Sequence, residues 1–233
     1  ILGDCMEYMQ KMPDKAYDLA IVDPPYGINL SKQSMGAGGG VAKHKNRSSK
    51  RMVVDGGCMT GNGVAMPNIY HAFDDTAIPT EEYFKELERV SKHRIIWGGN
   101  YFLDYLGKTK CFIVWDKGRR GMAFSDAEIA WSDIDDNVRI FNFVWNGMLQ
   151  EDMKHKEERI HPTQKPVALY EWLLTRYATK GDKILDTHVG SASSLIACEN
   201  LGFEYTGFEI DPVFYKNAQE RMKEYSAQLR MDL

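Results

Sequence analysis

Hydrophobic residues recur along this chain in two spacings. Short, mainly apolar runs at Tyr17–Val22, Arg94–Trp97, Cys111–Trp115, Ala127–Trp131, Lys183–Asp186 and Tyr205–Glu209 read as strands, and Tyr17–Val22 as one buried on both faces. A further strand is expected over Val138–Trp145, followed by a charged, exposed connection over Gln150–Arg159. The helical spacing appears after Asp4, where Met6, Met9 and Met12 share one side, Asp4 and Glu7 form a start signal and Pro13 ends the element. Thr80 is the expected cap of a helix with Tyr83, Phe84, Leu87 and Val90 on its apolar face. Pro166 opens another, with Tyr170, Leu173, Leu174 and Tyr177 aligned. Ser191–Leu201, closed by Gly202, and a final helix from Asp211-Pro212 along Phe214, Ala218, Tyr225 and Leu229 complete the set. The last third thus alternates β-α-β-α, the crossover pattern of a parallel sheet, and Cys111–Trp115 with Ala127–Trp131 fit a hairpin at one sheet edge. Residues 31–75 show little periodicity and contain Gly36-Ala37-Gly38-Gly39-Gly40 and Gly61-Asn62-Gly63, which predicts a long flexible insertion. No internal repeat is visible.

Composition narrows the class. With 233 residues, 43% hydrophobic and 27% charged, the chain fits one α/β domain with insertions. No apolar run approaches the ~18 residues that span a bilayer, so a membrane role is excluded. The opening Ile1-Leu2-Gly3-Asp4 carries no basic-then-apolar leader, and a cytoplasmic setting is expected. Cys5, Cys58, Cys111 and Cys198 are scattered, which predicts reduced structural thiols and no metal site. The net charge of −4 hides an asymmetry: Lys32, Lys43, Lys45, Arg47, Lys50 and Arg51 fall between residues 31 and 54 with no acidic residue among them. Such a segment either binds phosphates or is a solvated loop.

Two motifs carry candidate chemistry. Asp186-Thr187-His188-Val189-Gly190-Ser191 joins a strand to a helix, and Glu209 ends the next strand, where an acid commonly binds ribose hydroxyls. Together they suggest an adenosine-containing cofactor; alone, the loop is equally a tight turn. Asp23-Pro24-Pro25-Tyr26 is more specific. Its prolines offer no backbone donors, leaving carbonyls and a carboxylate as acceptors. Hydrogen bonds from both hydrogens of an exocyclic amino group to Asp23 and a backbone carbonyl would return electron density to a weakly nucleophilic nitrogen. Tyr26 offers a π face for a base taken out of the duplex. The plain alternative is a proline turn with a core tyrosine. No cysteine follows a proline, so the nucleophile used for methylation at carbon 5 of cytosine is missing.

In their order, Asp23-Pro24-Pro25-Tyr26-Gly27, His161-Pro162-Thr163-Gln164-Lys165-Pro166 and Asp186–Ser191 resemble the β class of amino-group DNA methyltransferases. The resemblance covers roughly residues 1–30 and 90–225. It implies an α/β, circularly permuted Rossmann-like class I fold, a mostly parallel seven-stranded sheet with an antiparallel hairpin. The catalytic half would comprise 1–30 and 76–150, the basic insertion 31–75, and the cofactor half 160–233. The implied cofactor is S-adenosylmethionine. Asp23, Pro24, Pro25 and Tyr26 would be catalytic. Asp4, Cys5 and Asp23, with Thr163, Gln164 and Lys165 at the methionine end, would contact the cofactor; Asp186, Gly190 and Ser191 would form its loop and Glu209 bind its ribose. An Asp at the first motif position favours N6 of adenine over N4 of cytosine. His188 departs from the family's usual Phe. The family's target-recognition region is often larger than any segment here, which points to Lys43, Lys45, Arg47, Lys50 and Arg51, with Arg119 and Arg120, as contacts to double-stranded DNA. A homodimer and a cognate restriction enzyme are the partners the class suggests. Methylation of RNA or of protein glutamine, and a catalytically silent binding module, are the rival readings.

Overall fold

The computed structural model describes residues 1–28, 57–59, 65–67, 78–118, 125–146 and 149–231. Helix α1 (Cys5–Met9) begins where Asp4 accepts a hydrogen bond from the Met6 amide at 2.9 Å, and it buries Cys5 and Met9. β1 (Tyr17–Val22) has the predicted bounds. β2 (Gly57–Met59) and β3 (Ala65–Pro67) pair as a separate antiparallel ribbon within the stretch read as unstructured; three-residue strands carry too little alternation to be seen in sequence. α2 (Glu81–Val90) buries Tyr83, Phe84, Leu87 and Val90 as expected, but Thr80 caps it with its carbonyl, bonded to the Tyr83 amide at 3.1 Å, rather than with its hydroxyl.

β4 (Ser91–Trp97) leads into a 3-10 turn at Gly99–Tyr101. β5 (Cys111–Asp116), β6 (Ala127–Ser132) and β7 (Arg139–Asn142) follow, then a small ribbon of β8 (Trp145–Asn146) and β9 (Leu149–Gln150). The cofactor half predicted from sequence contains α3 (Val167–Tyr177), β10 (Lys183–Asp186), α4 (Ser193–Leu201), β11 (Glu204–Gly207) and α5 (Pro212–Met231).

The main sheet has the order β11-β10-β1-β4-β6-β5-β7. Only β6 runs against its neighbours, pairing antiparallel with both β4 and β5. The hairpin is therefore not at the sheet edge, contrary to expectation: β6 lies against β4, and β7 covers β5 in parallel. Residues Cys111, Ile113 and Trp115 of β5 are buried, and a flanking strand keeps their backbone paired on both sides. The Val138–Trp145 run breaks after Asn142 because Trp145 turns inward, its indole N–H donating to the Gln164 carbonyl at 2.9 Å.

Both sheet faces are covered. Leu19 and Ile21 of β1, with Ile95 and Trp97 of β4, pack in one layer with Leu169 and Leu173 of α3 and Ile196 of α4. Ala20, Val22 and Ile96 point the other way, into a layer with α1 and α2. This period-2 split explains why β1 is apolar at successive positions. No helix among the described residues is long and apolar enough to cross a membrane.

The connection over Gln150–Arg159 is only partly as expected. Residues 151–156 are exposed, but Gln150 is buried and its side chain clamps the Glu157 backbone through both amide and carbonyl at 2.8 Å. α4 starts at Ser193 rather than Ser191, after Ala192 adopts a left-handed φ of 63°. β11 stops at Gly207, because Glu209 leaves it to pair with the chain start, its amide bonded to the Ile1 carbonyl at 3.0 Å and its carbonyl to the Gly3 amide at 2.9 Å.

Candidate active site

β11, β10, β1 and β4 are adjacent and parallel, so the segments leaving their C-terminal ends gather on one edge of the sheet. Those segments are Glu209–Pro212, His188–Ser191, Asp23–Tyr26 and Gly98–Tyr101. The first three line a cavity of about 550 Å³, closed from the other side by His161, Thr163–Lys165 and Tyr170.

At one end stands Asp23. Its Oδ1 accepts the Tyr26 hydroxyl at 2.5 Å, and its Oδ2 accepts the Lys165 ammonium. Lys165 is 3% exposed. It also pairs with Glu128 at 3.2 Å and lies 5.3 Å from the centre of the Trp97 indole. Glu128 in turn holds Lys117. Burial alone would lower the Lys165 pKa, but Asp23 and then Glu128 outweigh it and the net shift is upward. Burial would likewise raise Glu128, yet Lys165 and Lys117 bring its carboxyl down to about 2. Burial and the charge on Asp23 push the Tyr26 phenol well above its usual range, so Tyr26 is a donor at physiological pH.

The Tyr26 ring is held by the turn that follows β4. Gly98 has a φ of 67°, and a Cβ there would sit 2.2 Å from Tyr26 Cε1. Tyr101, 44% exposed, stacks on Tyr26 with ring centres 5.1 Å apart and planes at 17°.

At the other end, Glu209 accepts the Gly190 amide at 2.8 Å and the Asp211 amide at 2.9 Å, and burial raises its carboxyl. Gly190 adopts a φ of 53°. Asp186 accepts the Ser194 hydroxyl and the His188 amide; burial nevertheless pushes its carboxyl up to about 7. Ile210, 67% exposed, lines the rim beside Phe214 and Pro212 and presents apolar surface to whatever enters. His161 and His188 are both driven down to about 4, by burial first, and are neutral at physiological pH. Thr187 bridges the Tyr83 hydroxyl, at 2.7 Å, and His188 Nδ1, at 2.9 Å, which fixes the imidazole.

Most of the catalytic and cofactor residues singled out from sequence thus meet in one cavity: Asp23, Pro24, Pro25, Tyr26, Thr163, Gln164, Lys165, Gly190, Ser191 and Glu209 all line it. Asp186 does not line it: it ends β10 and holds the Ser194 hydroxyl and the His188 amide. The Gln164 side chain, however, is spent on the protein, accepting from the Ile160 amide at 2.9 Å and donating to the Glu158 carbonyl at 3.0 Å. Asp4 and Cys5 do not line the cavity: Asp4 caps α1, and burial lifts the Cys5 thiol to about 12. Lys43, Lys45, Arg47, Lys50, Arg51, Arg119 and Arg120 lie outside the described residues.

Sequence reasoning missed Glu128, Gly98 and Arg221. Arg221 of α5, 9% exposed, donates to the Ser191 carbonyl at 2.7 Å and the Ser193 hydroxyl at 2.9 Å while pairing with Glu157 at 2.6 Å, so it ties the loop after β10 to the 150–159 connection. An arginine among the apolar positions of α5 was the available signal.

Comparison with known proteins agrees with this architecture. Residues 126–220 match the family model described as DNA methylase. Type II methyltransferase M2.DpnII of Streptococcus pneumoniae is 23% identical over 95% of this chain and 88% of its own length. Type II methyltransferase M.HpaI of Haemophilus parainfluenzae is 37% identical over 29% of this chain and 22% of its own length. Among solved structures, the M1.HpyAVI–SAM complex superposes with a TM-score of 0.53 at 18% identity, covering 95% of this chain and 97% of that one. The cytosine-N4-specific PvuII DNA methyltransferase gives 0.52 at 11% identity, covering 96% and 89%. In sequence over residues 126–220, and in fold over most of its length, the chain is thus similar to DNA methyltransferases.

Proposed function

We propose that this chain is an S-adenosylmethionine-dependent DNA methyltransferase that modifies the N6 amino group of adenine in double-stranded DNA, on a base turned out of the helix. The observation that carries the reading is the meeting, in one cavity of about 550 Å³, of an Asp23-Pro24-Pro25 end rich in acceptors, with Tyr26 beside it, and a Gly190–Glu209 end suited to a ribose. The volume suits a nucleoside-sized ligand, for which pockets of roughly 300–1,000 Å³ are usual.

The cofactor fits the donor set present. Glu209 would take ribose hydroxyls, Ile210 and Phe214 would flank the adenine, and Asp186, Gly190 and Ser191 would border the loop. Thr163 and Lys165 would stand towards the methionine end; Gln164 would act there through the backbone it orders. Asp4 and Cys5 would contribute only by supporting the loop from outside the cavity. When bound, S-adenosylmethionine supplies a sulfonium methyl group, an electrophile that needs no covalent enzyme intermediate. Asp23 and the carbonyls flanking Pro24 and Pro25 would accept the amino hydrogens of the target base and so raise the nucleophilicity of its nitrogen. Tyr26 orients Asp23 through its hydroxyl and would stack on the base, sharing that place with Tyr101 or displacing it. Residues 1–30 and 76–150 form the catalytic half in this reading, 160–233 the cofactor half.

The Asp at position 23 favours adenine. N4 of cytosine is the second reading, supported by the match to the PvuII enzyme. Transfer of labelled methyl to unmethylated DNA, followed by nucleoside mass spectrometry, tests both: N6-methyladenine is the expected product, N4-methylcytosine would replace the acceptor, and no label on DNA would defeat the reading. DNA affinity should depend on the basic insertion. Reversing Lys43, Lys45 and Arg47 together is expected to weaken binding and to reduce the salt slope by about 0.9 per lost phosphate contact, measured by fluorescence anisotropy across salt concentrations. An unchanged slope would remove the insertion from the interface. The two relatives named Type II methyltransferases make a cognate restriction enzyme the partner to look for, and a homodimer would enlarge the DNA-binding surface.

A further inference from the structure

We propose that Glu128 is a positioning residue for Asp23 that acts through Lys165: it gives the Lys165 ammonium a second carboxylate, so that Lys165 can release Asp23 Oδ2 to an incoming amino group without being left unpaired. This rests on the reading of Asp23 as the acceptor for that group.

Both Asp23 oxygens are already engaged, Oδ1 by Tyr26 and Oδ2 by Lys165. An amino group that needs Oδ2 must displace Lys165. A lysine only 3% exposed that lost its sole counter-ion would become an uncompensated buried charge, which is strongly unfavourable. Glu128 removes that obstacle, because its Oε2 lies 3.2 Å from Lys165 Nζ in the same arrangement. Its other oxygen is fixed by Lys117, so the carboxylate is held in place when Lys165 moves towards it.

The topology explains how Glu128 arrives there. β6 is antiparallel to β4, so its beginning, not its end, reaches the catalytic edge of the sheet. Asp23, Lys165, Glu128 and Lys117 then alternate in sign as four linked charges from β1, the segment before α3, β6 and the end of β5. Among the described residues, the other titratable groups around Lys165 are Tyr26, Tyr170 of α3, which lines the same cavity, and His161, neutral at physiological pH. Asp23 and then Glu128 raise the pKa of Lys165. Lys117, held by the same Glu128 carboxylate, carries a like charge and is expected to act the other way. Glu128 and Lys117 should therefore have opposite effects on the pH at which Lys165 loses its proton.

The test is the single-turnover rate of methyl transfer to DNA as a function of pH in the full chain, for wild type, E128Q, E128D and K117M, with thermal melting and S-adenosylmethionine binding measured on each. We expect E128Q to bind the cofactor as wild type does but to lose on the order of tenfold in rate, less than the ~100-fold typical of removing a group that touches the reacting atoms. Its alkaline limb should move to lower pH, that of K117M to higher pH, and E128D should recover part of both rate and limb. A wild-type rate and limb in E128Q overturn the proposal, as does a slowed E128Q whose limb does not move, since that marks a merely structural glutamate. If E128Q fails to fold, K117M and E128D still decide: limbs that do not shift, or shift in one direction together, refute it. A wild-type protein that binds the cofactor but labels no DNA fails at the earlier reading, and is told apart by that control.

Discussion

Replacing Asp23 by alanine will reduce methyl transfer to DNA by about 10³-fold or more while leaving S-adenosylmethionine binding within a few-fold of wild type. The magnitude follows from what Asp23 is asked to do. Loss of a single preorganised electrostatic partner of the reacting group costs roughly 10²–10³ in rate, and Asp23 also anchors the Tyr26 hydroxyl at 2.5 Å, so orientation of the base is lost with it. Asn at the same position keeps a carbonyl oxygen able to accept one amino hydrogen but lacks the negative charge, and is expected to fall between alanine and wild type. Alanine also deprives Lys165 of one of its two carboxylates, so a modest fall in melting temperature should accompany it; Glu128 keeps the ammonium paired. Single-turnover transfer and calorimetric cofactor titration on the same preparations separate the two functions. An alanine variant that still labels DNA at more than about a tenth of the wild-type rate would remove Asp23 from the chemistry.

Much of this architecture was legible because local pattern and tertiary need coincide. β1 and β10 have the bounds that their apolar runs predict, and α5 starts at Pro212 as its Asp-Pro signal requires. The cavity residues Asp23, Tyr26, Gly190 and Glu209 were visible because each sits just past a strand, where parallel α/β sheets collect ligands. What was hidden depends on contacts far apart in sequence. Glu128 in Ala127–Ser132 reads as the polar member of an alternating strand, and only the antiparallel direction of β6 brings it beside Lys165. Gln164 looked like a ligand-facing amide within its motif, yet the loop that precedes it leaves the Ile160 amide and Glu158 carbonyl to be satisfied, and Gln164 satisfies them. The sequence places the hairpin at the edge because nothing in Arg139–Asn142 announces that this strand pairs with β5 in parallel.

Gly98→Ala carries the second large effect, and it acts on Tyr26 from across the sheet. Two separate costs arise at this position. The backbone is held at a φ of 67°, where an L-residue with a Cβ loses about 1–2 kcal/mol. The added carbon would then lie 2.2 Å from Tyr26 Cε1 and 2.5 Å from Cδ1, and these are ring atoms whose plane is fixed by the hydroxyl's bond to Asp23 and by stacking on Tyr101. Overpacking of this kind typically costs a further ~1–3 kcal/mol, so a total loss of roughly 2–5 kcal/mol of stability is expected. Relief by rotating Tyr26 would break its hydrogen bond to Asp23; relief by shifting the turn would move Gly99, where a Cβ already has only 2.4 Å to Trp131 Cβ, which shows how tightly the next residue is seated. Either way the acceptor site is deformed while the Gly190–Glu209 end is not touched. Methyl transfer should therefore fall by at least about 10²-fold with cofactor affinity retained at a temperature where the variant remains folded. Full activity in the alanine variant, with melting unchanged, would mean that the close approach of Gly98 to Tyr26 does not exist in solution.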